Sequence, residues 1–204
     1  MTVKLIAISK PTIDECATAE ELVAYCARVS NPANQNNHGT SAKLIRYLIN
    51  NAHWSPLEMV HMTMEINTTR DIARQILRHR SFSFQEFSQR YADPTAALGL
   101  VTREARLQDA KNRQNSTETD DADLESLWQS MQQMAIEDAQ RQYTKAINMG
   151  IAKEQARALL PEGLTESRIY MAGSLRSWVH SVLHGSGTHL RGAVCWQWSS
   201  ARHG

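Results

Sequence analysis

The chain has 204 residues, with 22 Lys and Arg against 21 Asp and Glu, and a formal net charge of +1. That length supports one domain with a sizeable core, and the near-neutral balance removes any global electrostatic case for nucleic acid or an anionic membrane, so an anion site must be local. Cys16, Cys26 and Cys195 are odd in number and lack C-x-x-C spacing, which suits a reducing, cytoplasmic setting; the apolar run in Met1–Ile8 is too short for a signal peptide, and no stretch approaches the roughly 20 apolar residues of a membrane span.

Val3 to Ile8 reads as a short strand ended by Ser9-Lys10-Pro11. A helix follows from about Thr18 to Val29, with Leu22, Val23, Cys26 and Ala27 on one face. Asn31 to Gly39 is an Asn-rich loop, and Ser41 starts a second helix carrying Leu44, Ile45, Leu48 and Ile49. After the turn His53-Trp54-Ser55-Pro56, the pattern from Leu57 to Thr68 becomes near-alternating. Val60, Met62, Met64 and Ile66 fall on one face of that strand. Thr69 begins a helix with Ile72, Ala73, Ile76 and Leu77 as its apolar stripe and Asp71, Gln75 and Arg78 along another face.

Residues 108–123 are polar and read as an exposed connection. A long helix then carries Leu124, Leu127, Trp128, Met131, Met134, Ala135, Ala139, Tyr143, Ala146 and Ile147 at helical spacing up to Gly150. Lys153 to Leu160 gives a shorter helix stopped by Pro161, and another runs from about Ser174 to Leu183.

The densest chemistry lies between Arg78 and Tyr91. Arg78, His79 and Arg80 are followed by Ser83, Glu86, Ser88 and Arg90, with Phe82, Phe84 and Phe87 interleaved. Guanidinium groups bind phosphate bidentately and aromatic rings supply stacking area, so the run suits a phosphate held beside a flat ring. Its bland counterpart is a solvated basic helix end favoured by the helix dipole, with Glu86 and Arg90 as an i, i+4 pair. His53, Ser55 and Glu58 form a second polar cluster, readable as an ordinary turn. Arg157 sits on a short amphipathic helix, and Arg176 and His180 share a helix face at i, i+4. His184, His189, Cys195 and His203 match no zinc spacing, so no metal is expected.

Arg-His-Arg-x-x-Ser followed by Glu-x-Ser-x-Arg-Tyr resembles the signature of the flavin-dependent thymidylate synthases, and every letter of it is present in Arg78–Tyr91. The resemblance runs from about Ala27 to Leu183. It includes Ala27-Arg28-Val29-Ser30, His53-x-Ser55-Pro56-x-Glu58, Ala156-Arg157-x-x-Leu160-Pro161 and Leu175-Arg176-Ser177-Trp178. It implies a single α/β (α+β) domain over residues 1–204, a mixed sheet with flanking helices, assembled as a homotetramer with active sites between subunits. It also implies reductive methylation of dUMP to dTMP, with methylenetetrahydrofolate, FAD and NADPH. In that picture Gln75, Arg78, Glu86, Ser88, Gln89, Arg90 and Arg157 hold dUMP, Arg157 reaching it from a neighbouring subunit. Ser55, Arg78, His79, Arg80, Glu86, Ser174, Arg176 and His180 hold FAD. Ser88 has no evident neighbouring base, so its expected role is binding rather than covalent attack.

The C-terminus departs from the family pattern. The arginine that activates the nucleotide in the family falls at Gly185 here, leaving no catalytic residue assigned, and residues 185–204 read as a truncated or altered end. A nucleotide-binding flavoprotein with impaired methylation is therefore a second reading. A nucleic-acid-binding module using the basic, aromatic segment is a weaker third, opposed by the balanced charge.

Overall fold

The computed structural model describes residues 1–184, so Gly185 and the rest of the tail lie outside the described residues. The chain forms two compact units. Among the described residues, one comprises Met1–Asn67, Leu77–Gln85 and Ile169–His184; the other comprises Thr68–Ile76 and Glu86–Arg168.

The first unit begins with β1 (Thr2–Ile8), α1 (Ala19–Ala27) and α2 (Ser41–Asn50). Thr18 caps α1 with a capping box: its hydroxyl accepts from the Glu21 N–H, and the Glu21 carboxylate accepts from the Thr18 N–H. Arg28, buried just past that helix, donates to the Asn37 carbonyl (2.6 Å) and the Thr40 hydroxyl (2.7 Å). It thereby fastens the Asn-rich loop that the sequence could only describe as irregular.

Pro56 opens a 3-10 turn over Ser55–Met59, and β2 (His61–Thr69) follows it. The strand therefore starts four residues later than the alternation suggested, because proline at the first positions of a helical turn suits its fixed φ. Met62, Met64 and Ile66 are buried while their neighbours are not, as a half-buried strand requires. β1 pairs antiparallel with β2, from Thr2 opposite Asn67 to Ile8 opposite Met62, with a bulge between Leu5 and Ala7. After α3 (Arg70–Ile76) come β3 (Ser83–Glu86), α4 (Pro94–Ala97), β4 (Arg106–Gln108), β5 (Ser116–Glu118), α5 (Ala122–Asn148), α6 (Lys153–Ala156), β6 (Glu166–Ser174) and α7 (Leu175–His184). The sheet order is β1-β2-β6-β3. Trp178 of α7 is 1% exposed, and its indole N–H donates to the Met62 carbonyl at 3.3 Å. These helices and strands place the chain in the α/β class.

In the second unit, α5 carries the core against α6, with Tyr143, Ala156 and Leu160 packed together and flanked by Ala146 and Ile147. Its buried positions are Gln132, Ile136, Ala139 and Tyr143. Leu127, Met131 and Met134 lie on nearly the opposite side at 3.6 residues per turn, and all three are exposed. The apolar residues at helical spacing thus fall on two faces, and only one is buried among the described residues. Gln132 occupies the buried face because its side-chain amide exchanges hydrogen bonds with the Arg103 N–H and carbonyl, both at 2.8 Å. Residues 108–123 contain the second strand of an exposed hairpin, β4–β5, rather than only connection.

Candidate functional site

In the first unit a cavity of about 800 Å³ is lined by residues from three parts of the chain: Glu58 and His61, then Arg80–Ser83, then Ala172–Ser174 with Arg176, Ser177 and His180. The size is within the range of small-molecule pockets. Four of the expected flavin residues, Arg80, Ser174, Arg176 and His180, therefore meet at one place although nearly a hundred positions separate Arg80 from the others. Local structure explains how. β6 ends at Ser174 and α7 starts at once, its Leu175 N–H held by the Val60 carbonyl at 2.7 Å, so Ser174, Arg176, Ser177 and His180 project from one strand–helix junction.

Arg176 Nη1 donates to Glu58 Oε1 at 2.7 Å. The Ser174 hydroxyl and the Arg176 guanidinium beside Glu58 hold its carboxyl below the usual carboxylate range. His180 lies against Trp54, ring centroids 4.3 Å apart. Phe82 packs edge-on against Trp178 (4.7 Å) and His79 (5.9 Å), so His79 sits behind the cavity-lining ring rather than on the cavity surface. Ser55, exposed at the start of the 3-10 turn, and the exposed Arg78 do not line the cavity. Gly173 has a steric reason: a Cβ there would stand 2.5 Å from Phe82 Cδ1.

The second unit holds most of the residues expected to bind nucleotide. Gln75 is exposed on α3, and Arg90 is exposed with its guanidinium 5.9 Å from the centre of the Tyr91 ring. Arg157 lies in the 3-10 turn after α6, its Nε donating to the Glu154 carbonyl at 3.0 Å. Ser88 turns the chain, its carbonyl accepting from the Tyr91 and Ala92 N–H groups. Gln89 is 4% exposed, and its side-chain Nε2 has no hydrogen-bond partner among the described residues. A buried unpaired donor is costly unless something accepts from it, which makes Gln89 a candidate ligand contact. Glu86 Oε1 accepts from the Ser167 hydroxyl at 2.9 Å and lies 3.5 Å from Arg70 Nη1.

A second network in this unit joins Arg103 to Asp71 (2.6 Å) and to the Thr69 hydroxyl, which itself donates to Asp71 at 2.6 Å. Burial pushes the Asp71 carboxyl up, but Thr69 and Arg103 outweigh it and hold it below its ordinary value.

Sequence reasoning missed His61, Ser177 and Gly173 on the cavity wall, and Arg70 and Ser167 behind Glu86. Glu58 was visible as part of a polar turn, but its partner Arg176 lies 118 positions away.

The sequence model of the family described as "Thymidylate synthase complementing protein" matches residues 12–186. The chain is 48% identical over 182 residues to a probable flavin-dependent thymidylate synthase of Paramecium bursaria Chlorella virus 1, covering 89% of this chain and 83% of that one. It is 49% identical over 183 residues to the flavin-dependent thymidylate synthase of Synechocystis, covering 88% and 82%. Among solved structures it resembles the UMP/dUMP methylase PolB of Streptomyces cacaoi bound with 5-Br dUMP, with a TM-score of 0.76 and 27% identity over 98% of this chain and 89% of that chain. Shared motif, shared fold and this degree of identity agree: the chain belongs to the flavin-dependent thymidylate synthase family.

Proposed function

We propose that the protein is a flavin-dependent thymidylate synthase that methylates dUMP to dTMP, with FAD as its flavin and methylenetetrahydrofolate and NADPH as co-substrates. The convergence of Arg80, Ser174, Arg176 and His180 on one cavity carries this reading. The donor set fits a dinucleotide flavin: two guanidinium groups suit its diphosphate, and serine hydroxyls beside an imidazole suit its polar edges. Bound flavin supplies the electrons of the reduction, and the folate supplies the carbon. The chain's own residues bind and orient. Arg80 and Arg176 hold phosphate, Glu58 keeps Arg176 in place, and Phe82 presents an apolar wall. Gln75, Glu86, Ser88, Gln89, Arg90 and Arg157 receive the nucleotide, with the arginines on its phosphate and the Gln89 amide as a donor.

Assembly into a homotetramer is part of the proposal. The exposed face of α5, with Leu127, Met131 and Met134 in a row, supports it, because contiguous exposed apolar residues on a helix favour burial against another copy. No helix among the described residues is long and apolar enough to cross a membrane.

The test is reconstitution with FAD, followed by a dUMP titration monitored in the visible spectrum and a dTMP assay with methylenetetrahydrofolate and NADPH. Flavin absorbance that shifts with dUMP, together with dTMP formation, supports the proposal. Protein that takes up no flavin refutes it. NADPH oxidation without dTMP would select the reading of a flavoprotein impaired in methylation, and oligonucleotide binding that falls steeply with salt would revive the nucleic-acid module.

A further inference from the structure

We infer that Arg70 is a positioning residue for Glu86: with Ser167 it grips one oxygen of the Glu86 carboxylate and leaves the other to face a ligand. Arg70 is 8% exposed, unusual for an arginine side chain. Its guanidinium forms an ion pair with Glu86 Oε1 at 3.5 Å. The Ser167 hydroxyl, also buried, donates to that same oxygen at 2.9 Å. Oε2 accepts no hydrogen bond among the described residues, and the Glu86 side chain keeps 23% of its exposure. A carboxylate has about four lone-pair positions, so one oxygen is committed inward and the other remains available to an N–H or O–H donor.

The backbone holds this clamp in register. The Thr165 carbonyl accepts the Arg70 N–H at 3.0 Å, and the Arg168 carbonyl accepts the Phe87 N–H at 2.9 Å. One run, Thr165–Arg168, thus fixes the helix start that supplies Arg70, the hydroxyl that meets Glu86, and the chain leaving Glu86 toward Ser88, Gln89 and Arg90. A buried cation needs a partner to offset its desolvation, and here that partner, Glu86, lies within the signature segment. The inference rests on the proposed role of Glu86 as a dUMP contact.

A double-mutant cycle on flavin-reconstituted protein tests it, with Arg70→Gln, Glu86→Gln and the pair titrated calorimetrically with dUMP and melted in parallel. Arg70→Gln should weaken dUMP binding about 5-fold in the native background and hardly at all in the Glu86→Gln background, the pattern of residues acting as a unit. Arg70→Lys should recover part of the loss. Equal losses in both backgrounds, or no loss in either, overturn the inference. Should Arg70→Gln not fold, Ser167→Ala, which removes a single hydroxyl, is judged in the same cycle by the same criterion. Wild-type protein that binds no dUMP overturns the functional reading and this inference with it, whereas wild-type binding with additive losses overturns the inference alone.

Discussion

Replacing Gly173 by alanine adds one carbon at a place where the fold has no room for it. The new Cβ would stand 2.5 Å from Phe82 Cδ1, 2.9 Å from Cε1 and 3.4 Å from Cγ. Carbon atoms settle at about 3.5–4.0 Å, so the ring has to retreat by roughly 1 Å or more. Retreat is hindered on one side, where Phe82 packs on the buried Trp178 with centroids 4.7 Å apart. The open side is the cavity that Phe82 lines. Over-packing of this kind costs about 1–3 kcal/mol, which for a chain of this length lowers the melting temperature by about 2–12 °C. The ring displaced into the cavity should also weaken flavin binding, read by fluorescence titration. In a Phe82→Leu background the same glycine substitution should cost far less, because the obstructing ring is gone. A Gly173→Ala protein that melts within a degree of wild type with unchanged flavin affinity would refute the reasoning. An equally large loss in the leucine background would place the cost in the strand backbone instead.

Asp71→Asn tests the Asp71–Arg103–Thr69 network through pH. The folded carboxyl is held below its ordinary value, so its stabilisation is complete above the unfolded pKa of about 3.9 and disappears as pH falls through the folded value. The gap in melting temperature between wild type and variant should be full at pH 6 and close below about pH 4; the same gap at pH 6 and pH 3 would contradict this. Met131→Glu with Met134→Glu places two charges on the exposed apolar face of α5, and light scattering should show a smaller assembly than wild type with helix content retained. An unchanged mass would remove that face from the interface. Thr18→Ala breaks the capping box and should cost about 1 kcal/mol, about 2–4 °C of melting temperature; no change would mean that packing alone sets the start of α1.

The elements legible in the sequence are those whose cause is local. Thr18 with Glu21 three positions on announces α1, and alternation announces β2. β6 escaped because its buried positions include Ser167, Gly173 and Ser174, so burial alternates along the strand while polarity does not. β3 is hidden inside the signature, where Ser83 to Glu86 reads as site chemistry before it reads as a strand. On α5 the helical spacing of the apolar residues is legible, and which side of the helix is buried is not. Gln132 is buried by hydrogen bonds to a backbone 29 positions away, which no helical period reveals. The site shows the same division. Residues named by the motif could be listed from the sequence, but Glu58 beside Arg176 and Arg70 behind Glu86 depend on strand register, and one sequence does not disclose register.

The charge within the cavity makes a sharper demand on the flavin proposal than its shape does. Two guanidinium groups, Arg80 and Arg176, line it with one carboxylate, Glu58, so the arginines and the carboxylate sum to +1. Arg176 is already paired with Glu58 at 2.7 Å, whereas Arg80 has no ion-pair partner among the described residues. An arriving diphosphate therefore meets one uncommitted cation and one that it must share. Exposed charges are screened within a Debye length of about 8–10 Å, so salt reports on this sum. Arg80→Gln brings the sum to zero and should flatten the dependence of flavin affinity on ionic strength. Glu58→Gln raises it to +2 and should steepen that dependence, whatever it does to the affinity at any one salt concentration. The two slopes must move in opposite directions from wild type, as measured by flavin fluorescence titrations from low to moderate salt. If they move together, Glu58 and Arg80 do not share a cavity with the flavin phosphates, and the binding site has to be sought elsewhere on the chain.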